Sequence, residues 1–485
     1  MVQRPLLLIV IGALACVPAA ALAQTGPPEV SGGGQSTPAP SLTAAVAFNQ
    51  SLIAGGVPSG TVTPGVLKLS LHDTIARGLQ HNLAAVMGEQ RVRQADAARW
   101  AAWSGLLPSA SASLTQAKEQ INLEAYGFPV APGESPIIGP FDVSDRRIEV
   151  SQTLFSYAAI ASARSGNAMK AAAGYANDDL RDQVTVARTA MYLQVVATGA
   201  RIDAARAQLQ TAQALFDRAV SMKQAGVAAG IEATRAQVLV ENQRQRVIYF
   251  ENEFAKQKLQ LARAIGMPLG QAYEIADSFP YRALDGLSPE VAIKEAIETR
   301  ADYKSARELV KAAEAAKQVA IGSMLPSVGF AADVGDIGPS WGSALRTYSV
   351  VASVNVPIFQ SGRERSRIIQ ADASLKQEQA QLADLQAKIE YEVRAALLDV
   401  SAAGQRAVVA QSAADLAALQ LTQAQDRFTA GVASHVEVVQ AQEAVATATD
   451  NLISSQFAHN LAKAALARAL GTAEHATERF LGGQQ

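Results

Sequence analysis

Ala225-Gly226-Val227-Ala228 returns 205 residues later (431 − 226) as Ala430-Gly431-Val432-Ala433. Leu261-Ala-Arg-Ala-Ile265-Gly266 returns at the same spacing as Leu466-Ala-Arg-Ala-Leu470-Gly471. Upstream, Gly105-Leu-Leu-Pro108-Ser109 returns as Ser323-Met-Leu-Pro326-Ser327, 218 residues on (326 − 108). Three matches in one order mark a unit written twice, and self-similarity of this kind decides a fold before any local reading does. The change of offset places 13 additional residues (218 − 205) in the first copy. They fall most naturally in Gln116–Asp145, whose glycines and prolines predict a longer loop.

Working outward from the repeated glycines, each copy reads as helix, proline-marked break, two short β-like runs, a very long helix, a glycine turn and a return helix. The long helices are predicted from proline-free stretches, Ala158 to Gln224 and Ile358 to Ala430. At 1.5 Å per residue each is a rod of ~100 Å, longer than a globular domain needs. The return helices carry a seven-residue repeat: Ala233, Val240, Val247, Phe254, Leu261, and then Val438, Val445, Leu452, His459, Leu466. Such a repeat on a 3.6-residue helix predicts a left-handed supercoil against a neighbour. Three residues further on stand Ala236, Gln243, Phe250, Gln257, Ala264 and Ala441, Ala448, Ser455, Ala462, Ala469, small enough in the second copy for close helix approach.

The β-like runs alternate with period two. Tyr348, Val350, Ala352, Val354 and Val356 share a face opposite Ser349, Ser353 and Asn355. Val328, Phe330, Ala332 and Val334 oppose Gly329, Asp333 and Gly335, and Ile148, Val150 and Leu154 oppose Arg147, Glu149, Ser151 and Thr153. Ala110, Ala112 and Leu114 form the weakest run. A transmembrane barrel requires this pattern, but one sheet of a soluble domain has the same period. Four strands cannot close a membrane barrel, since ~8 is the minimum. Several protomers, each giving four strands and a set of helices around one axis, remove that difficulty; the residues alone do not say how many.

Composition agrees with packed helices. Of 485 residues 49% are hydrophobic but only 5% aromatic, so the apolar content is carried by Ala, Val and Leu, and Ala is the best helix former. Lys+Arg of 42 against Asp+Glu of 44 leaves a formal charge of −2, which excludes the basic footprint of a nucleic-acid binder. Met1 to Arg4, the apolar run Leu6–Val17 and Ala21-Leu22-Ala23 predict a secretory signal peptide over 1–23. Cys16, after the weak lipobox Ala13-Leu14-Ala15, offers a rival cleavage that would make a lipoprotein, whereas cleavage after Ala23 would leave a mature chain without cysteine. The expected order is then a Pro/Gly/Ser-rich arm (24–65), repeat 1 (66–270), a linker (271–286), repeat 2 (287–473) and a tail (474–485).

The duplication, the strand pair inside each copy and the Gly-Val-Ala turns followed by heptads resemble the TolC family of outer-membrane efflux proteins, over nearly all of Leu67–Gly471. The resemblance implies a mainly α fold with a small β part: a homotrimeric channel-tunnel in which four strands per protomer complete a 12-stranded outer-membrane barrel. A coiled-coil α-helical barrel continues it through the periplasm. It implies an inner-membrane transporter and a periplasmic adaptor as partners, contact with outer-membrane lipid, and export of drugs, other small molecules or secreted proteins.

In that family these glycine turns form the periplasmic tip, where the adaptor docks. Here the turns are Gly226, Val227 and Ala228, and Gly431, Val432, Ala433 and Ser434. The carboxylates six residues past each glycine, Glu232 and Glu437, match the family's acidic constriction, usually Asp. Brought around an axis they would make a cation-attracting ring; a helix N-terminus also favours Glu for its dipole alone. The sequence departs from the best-known gating pattern, with Phe428 for Tyr, Ala433 for Arg and Gln440 for a second acid. Arg427 and Arg235 are candidate replacements that spacing alone does not establish, and Phe428 and Arg427 are candidate tip contacts.

No catalytic, cofactor or metal constellation accompanies these features. The five histidines, at 72, 81, 435, 459 and 475, have no ligand spacing, and no nucleophile-elbow or phosphate-loop glycine pattern occurs. Trp100 and Trp103 before the first strand, and Trp341 between the third and fourth, suit either an aromatic belt or ordinary packing. The alternative to a duct is a periplasmic coiled-coil adaptor or scaffold without a pore; an exported hydrolase lacks its nucleophile.

Overall fold

A computed structural model describes residues 55–481 apart from 132, 227–228, 279–280 and 285. The chain divides into Met1–Ala47 and Phe48–Gln485, and all the described residues belong to the second unit. The predicted export signal, Cys16 and the arm up to residue 54 lie outside the described residues.

The elements begin with β1 (Leu67–Leu69), α1 (Leu71–His81), α2 (Leu83–Ser104), β2 (Ser109–Asn122), β3 (Ile137–Phe155), α3 (Tyr157–Gln224) and α4 (Gly230–Ala264). There follow β4 (Tyr273–Ile275), α5 (Pro289–Thr299), α6 (Ala301–Gly322), β5 (Ser327–Gly338), β6 (Leu345–Asn355), α7 (Arg363–Thr429), α8 (His435–Ala469) and α9 (Ala473–Leu481). The two halves run through the same order, with helices of 11, 22, 68 and 35 residues in the first and 11, 22, 67 and 35 in the second.

Local chemistry sets the boundaries. Ser70 caps α1 through a reciprocal capping box with Asp73, which satisfies two orphan donors at once. Asn82 accepts from the Ala84 N–H and so starts α2, and Ser156 does the same for α3 through Ala159. The second long helix begins at Arg363, later than the proline-free stretch suggests, because Pro357 precedes it and Ser361 and Gly362 both take positive φ.

Four strands form one antiparallel sheet in the order β2-β3-β5-β6, and β1 pairs with β4 in a separate parallel pair. The first hairpin corrects the sequence reading of Gln116–Asp145 as loop. Pairing continues from Ser109↔Ser151 to Asn122↔Ile137, so most of the added residues lengthen two strands. Gly139 and Pro140 sit inside β3 beside a register shift at Glu119/Ile121. There a bulge tolerates a residue with no N–H to donate, and a Cβ on Gly139 would stand 2.6 Å from the Glu119 carbonyl.

The core lies part-way along the long helices, where the short elements pad them. Leu69, Ile75, Tyr192, Leu193, Leu261 and Ile265 form one cluster, and Ala292, Ile389, Val393, Leu466 and Leu470 a second. Tyr192 is wholly buried, and its hydroxyl donates to the Leu69 carbonyl and lies 3.0 Å from Asp277 Oδ2. The heptad positions face inward: Ala233, Val240, Val247 and Leu261, and Val438, His459 and Leu466, are all buried. The last stretch of the expected arm does not hang free, since the Val57 N–H donates to the His81 carbonyl and Ser59 to Gly266. Most of the expected tail is α9, held to α3 by Arg181–Glu474 at 2.6 Å.

Candidate functional site

Two features face outward for no structural reason of their own: the pair of glycine turns and the four-stranded sheet. At the second turn α7 ends in a Schellman motif. The Val432 N–H reaches the Arg427 carbonyl at 3.0 Å and the Gly431 N–H reaches that of Phe428 at 3.1 Å, so two orphan carbonyls are satisfied by one left-handed residue. Gly431 and Gly226 have φ of 73° and 72°, and a Cβ at either would meet nothing within 4 Å. Glycine is needed there for its conformation, leaving the space above it open. Val432 is 68% exposed, whereas Val227 and Ala228 lie outside the described residues.

Both turns lie at one end of the bundle. The first parts of α4 and α8 border a groove of about 320 Å³ lined by Arg235, Val238, Asn242, Val436, Gln440 and Glu443 among others. Glu232 and Glu437 are each the third residue of their helix, with backbone N–H bonded to Ala229 and Ser434. Each carboxylate holds a guanidinium: Arg235 Nη1 lies 2.9 Å from Glu232 Oε1, and Arg427 Nε 3.1 Å from Glu437 Oε1. These are the two arginines whose role spacing left open. The Arg427–Glu437 pair is exposed, and such pairs are worth only ~0.2–1 kcal/mol, whereas Glu232 is half-buried and its Oε2 is out of contact with solvent. Phe428 packs with Leu215, Leu421, Ala424 and Val438 beneath the turn, which makes it an anchor of that turn.

The sheet sorts its side chains by face. Register places Ala112, Ile148, Val334 and Tyr348 in one row and Ala110, Val150, Ala332 and Val350 in the next. Ile148, Val334, Tyr348 and Val350 are 45–79% exposed, an apolar face left uncovered by the described residues of the single chain. The other face carries Asp145, Arg147 and Asp333, with Arg147 ion-paired to Asp333 and 3.4 Å from Asp145. Sequence reasoning missed this cluster, because Arg147 and Asp333 stand 186 residues apart and only the register unites them. Among the described residues β2 and β6 each have one unpaired edge. Trp100 and Trp103 precede the sheet at its helical end and Trp341 sits in the β5–β6 hairpin at the other; all three are exposed.

His459 is buried. Its Nε2 lies 3.0 Å from the Arg282 carbonyl, to which Lys463 also donates at 2.6 Å. Burial, with Lys463 beside it, holds its pKa below the usual histidine value. It ties the linker to α8 and serves structure.

A family model described as outer membrane efflux protein matches residues 292–472. The pyoverdine export outer membrane protein OpmQ of Pseudomonas aeruginosa is 26% identical over 406 residues, spanning 79% of this chain and 80% of that protein. Two solved structures share the fold. The outer membrane protein VceC of Vibrio cholerae has a TM-score of 0.71 at 18% identity, over 83% of this chain and 96% of that one. The CmeC outer membrane channel of Campylobacter jejuni has 0.72 at 15%, over 83% and 86%. Residues 292–472 thus match the outer membrane efflux protein family, and the OpmQ relative and the solved outer-membrane channels are similar to this chain over about four fifths of its length.

Proposed function

We propose that the protein is the outer-membrane exit duct of a tripartite export system, and that its two matching halves are an internal repeat. Three copies close a 12-stranded barrel from four strands each, and their long helices continue it as a coiled-coil tunnel into the periplasm. The observation that carries this reading is the open sheet: two unpaired edges, one exposed apolar face and one charged face. Backbone groups left unpaired in a bilayer are not tolerated, so a sheet that enters lipid must close. Adding β6 of one copy to β2 of the next satisfies both edges, turns the apolar face to lipid and leaves Arg147 and Asp333 in a polar lumen. A pore-less adaptor would have no use for that apolar face.

The glycine turns then gather at the periplasmic tip. There Val432, Ala433 and Ser434, with Gly226, Val227 and Ala228, meet a periplasmic adaptor fed by an inner-membrane transporter. Glu232 and Glu437 of three copies form an acidic constriction that Arg235 and Arg427 brace. Small molecules are the cargo class that the name of the OpmQ relative favours; secreted proteins would use the same duct.

Planar-bilayer recording of the purified oligomer tests both parts. Discrete, cation-selective conductance is expected, and Glu232→Gln with Glu437→Gln should lower the cation selectivity. An oligomer that never conducts would overturn the duct, and unchanged selectivity would overturn the ring.

A further inference from the structure

Towards the hairpin end the apolar face of the sheet gives way to a row in which three of the four residues are charged and the net charge is positive. One row beyond Ile148, Val334 and Tyr348, the same face carries Leu114, Arg146, Asp336 and Arg346, aligned by the pairings Leu114↔Arg146, Arg146↔Asp336 and Asp336↔Arg346. Arg146 Nε donates to Asp336 Oδ2 at 3.0 Å. Arg346 Nε stands 3.8 Å from the other oxygen, too far for a hydrogen bond, with its side chain 79% exposed. One carboxylate between two guanidinium groups leaves a net positive charge in each copy. The next two rows are polar, with Gln116 opposite Ser144 and Lys118 opposite Asp142.

The position of the row matters as much as its charge. From Arg346 back to Val354 is eight residues of β6, about 27 Å of strand at ~3.4 Å per residue. A tilt of ~40° reduces that to roughly 20 Å of depth, close to the height of a barrel's lipid-facing band. The row lies at the hairpin end, away from the helices, with Tyr348 (79% exposed) one row below it and Trp341 in the hairpin next to it. A planar guanidinium presents forked donors that match phosphate oxygens in pairs.

We infer that Arg146 and Arg346 bind a phosphate of the phosphorylated glycolipid in the outer leaflet of the outer membrane, with Asp336 holding the Arg146 guanidinium in place beside the freer Arg346. The site rests on the barrel reading, which alone turns this face to lipid. Phosphate is the chemistry it recognises. The outer leaflet is the source, because the row sits at the end of the sheet opposite the helices.

The test is native mass spectrometry of the purified full-length oligomer, offered bisphosphorylated lipid A, its dephosphorylated form or phosphatidylglycerol. Wild type should retain bisphosphorylated lipid A above the other two. Arg146→Gln with Arg346→Gln should lower retention roughly 25-fold, at about fivefold per arginine near a charged membrane surface. Lys256→Gln, on α4, should change nothing. Should the double variant fail to assemble, Arg346→Gln leaves the Arg146–Asp336 bond intact and should lose about fivefold. Equal retention in the variants, or equal retention of dephosphorylated lipid A, overturns the site. A preference for phosphatidylglycerol overturns the outer-leaflet source. Conductance recorded beside each variant separates these outcomes from failure of the barrel itself.

Discussion

Arg300 shows how much of this fold is held by single side chains. Its guanidinium, 3% exposed, reaches Asp302 Oδ2 and Glu392 Oε2 at 2.6 Å each, so it joins the start of α6 to α7. Burial pushes the Asp302 carboxyl up, but its hydrogen bond and attraction to Arg300 outweigh that and hold it below the ordinary carboxylate range. A carboxylate depressed in the folded state contributes stability above its unfolded pKa and loses it as pH falls through the folded one. Asp302→Asn should therefore destabilise by about 3 kcal/mol at pH 7. In thermal unfolding the gap from wild type should stay level down to about pH 5 and shrink below about pH 4; a constant gap at all pH values would show that the charge plays no part. None of this was legible in the sequence. Arg300 follows Thr299 at a helix break and has no periodic signal, and Glu392 stands 92 residues away.

At the scale of elements, the alternation of the strands was fully legible, since Val350 and Tyr348 read apolar and Ser349 polar from period two alone. What the alternation left open was whether that face met a core or a membrane, and exposure of 65% and 79% at Val350 and Tyr348 supports lipid. Val350→Arg places a charge in the middle of the band and should cost ~2–4 kcal/mol per copy. Heat-resistant oligomers in outer-membrane fractions should be lost, while Ser349→Arg, on the other face of the same strand, should be tolerated. Equal tolerance of the two would rule out a lipid face. The first hairpin was the element misread, because glycine and proline signal turns in most settings; within β3 they mark a bulge that pairing carries through.

For the whole molecule, the adaptor contact proposed above belongs to the end of the bundle that carries the two glycine turns. Gly431→Trp should abolish adaptor co-purification and export while leaving oligomers in the membrane. Gly431→Ala, with the same left-handed strain but little bulk, should keep most of both. Export by the Trp variant at the wild-type level would remove the tip from docking. The sequence by itself determined the order of the main elements, the long proline-free helices, the heptad faces and the two glycine turns, but not the β1–β4 pair or the break between the two helices that precede each strand pair. The features it determined follow from local rules: propensity, period and the positive φ that ends a helix. Only the tertiary structure decided which distant residues meet: Arg427 with Glu437 across a turn, Arg147 with Asp333, and Arg146 with Asp336 and Arg346 along the rim of the apolar face. Register and helix packing bring residues together from tens to hundreds of positions apart, and one chain's spacing contains no record of which strand lies beside which.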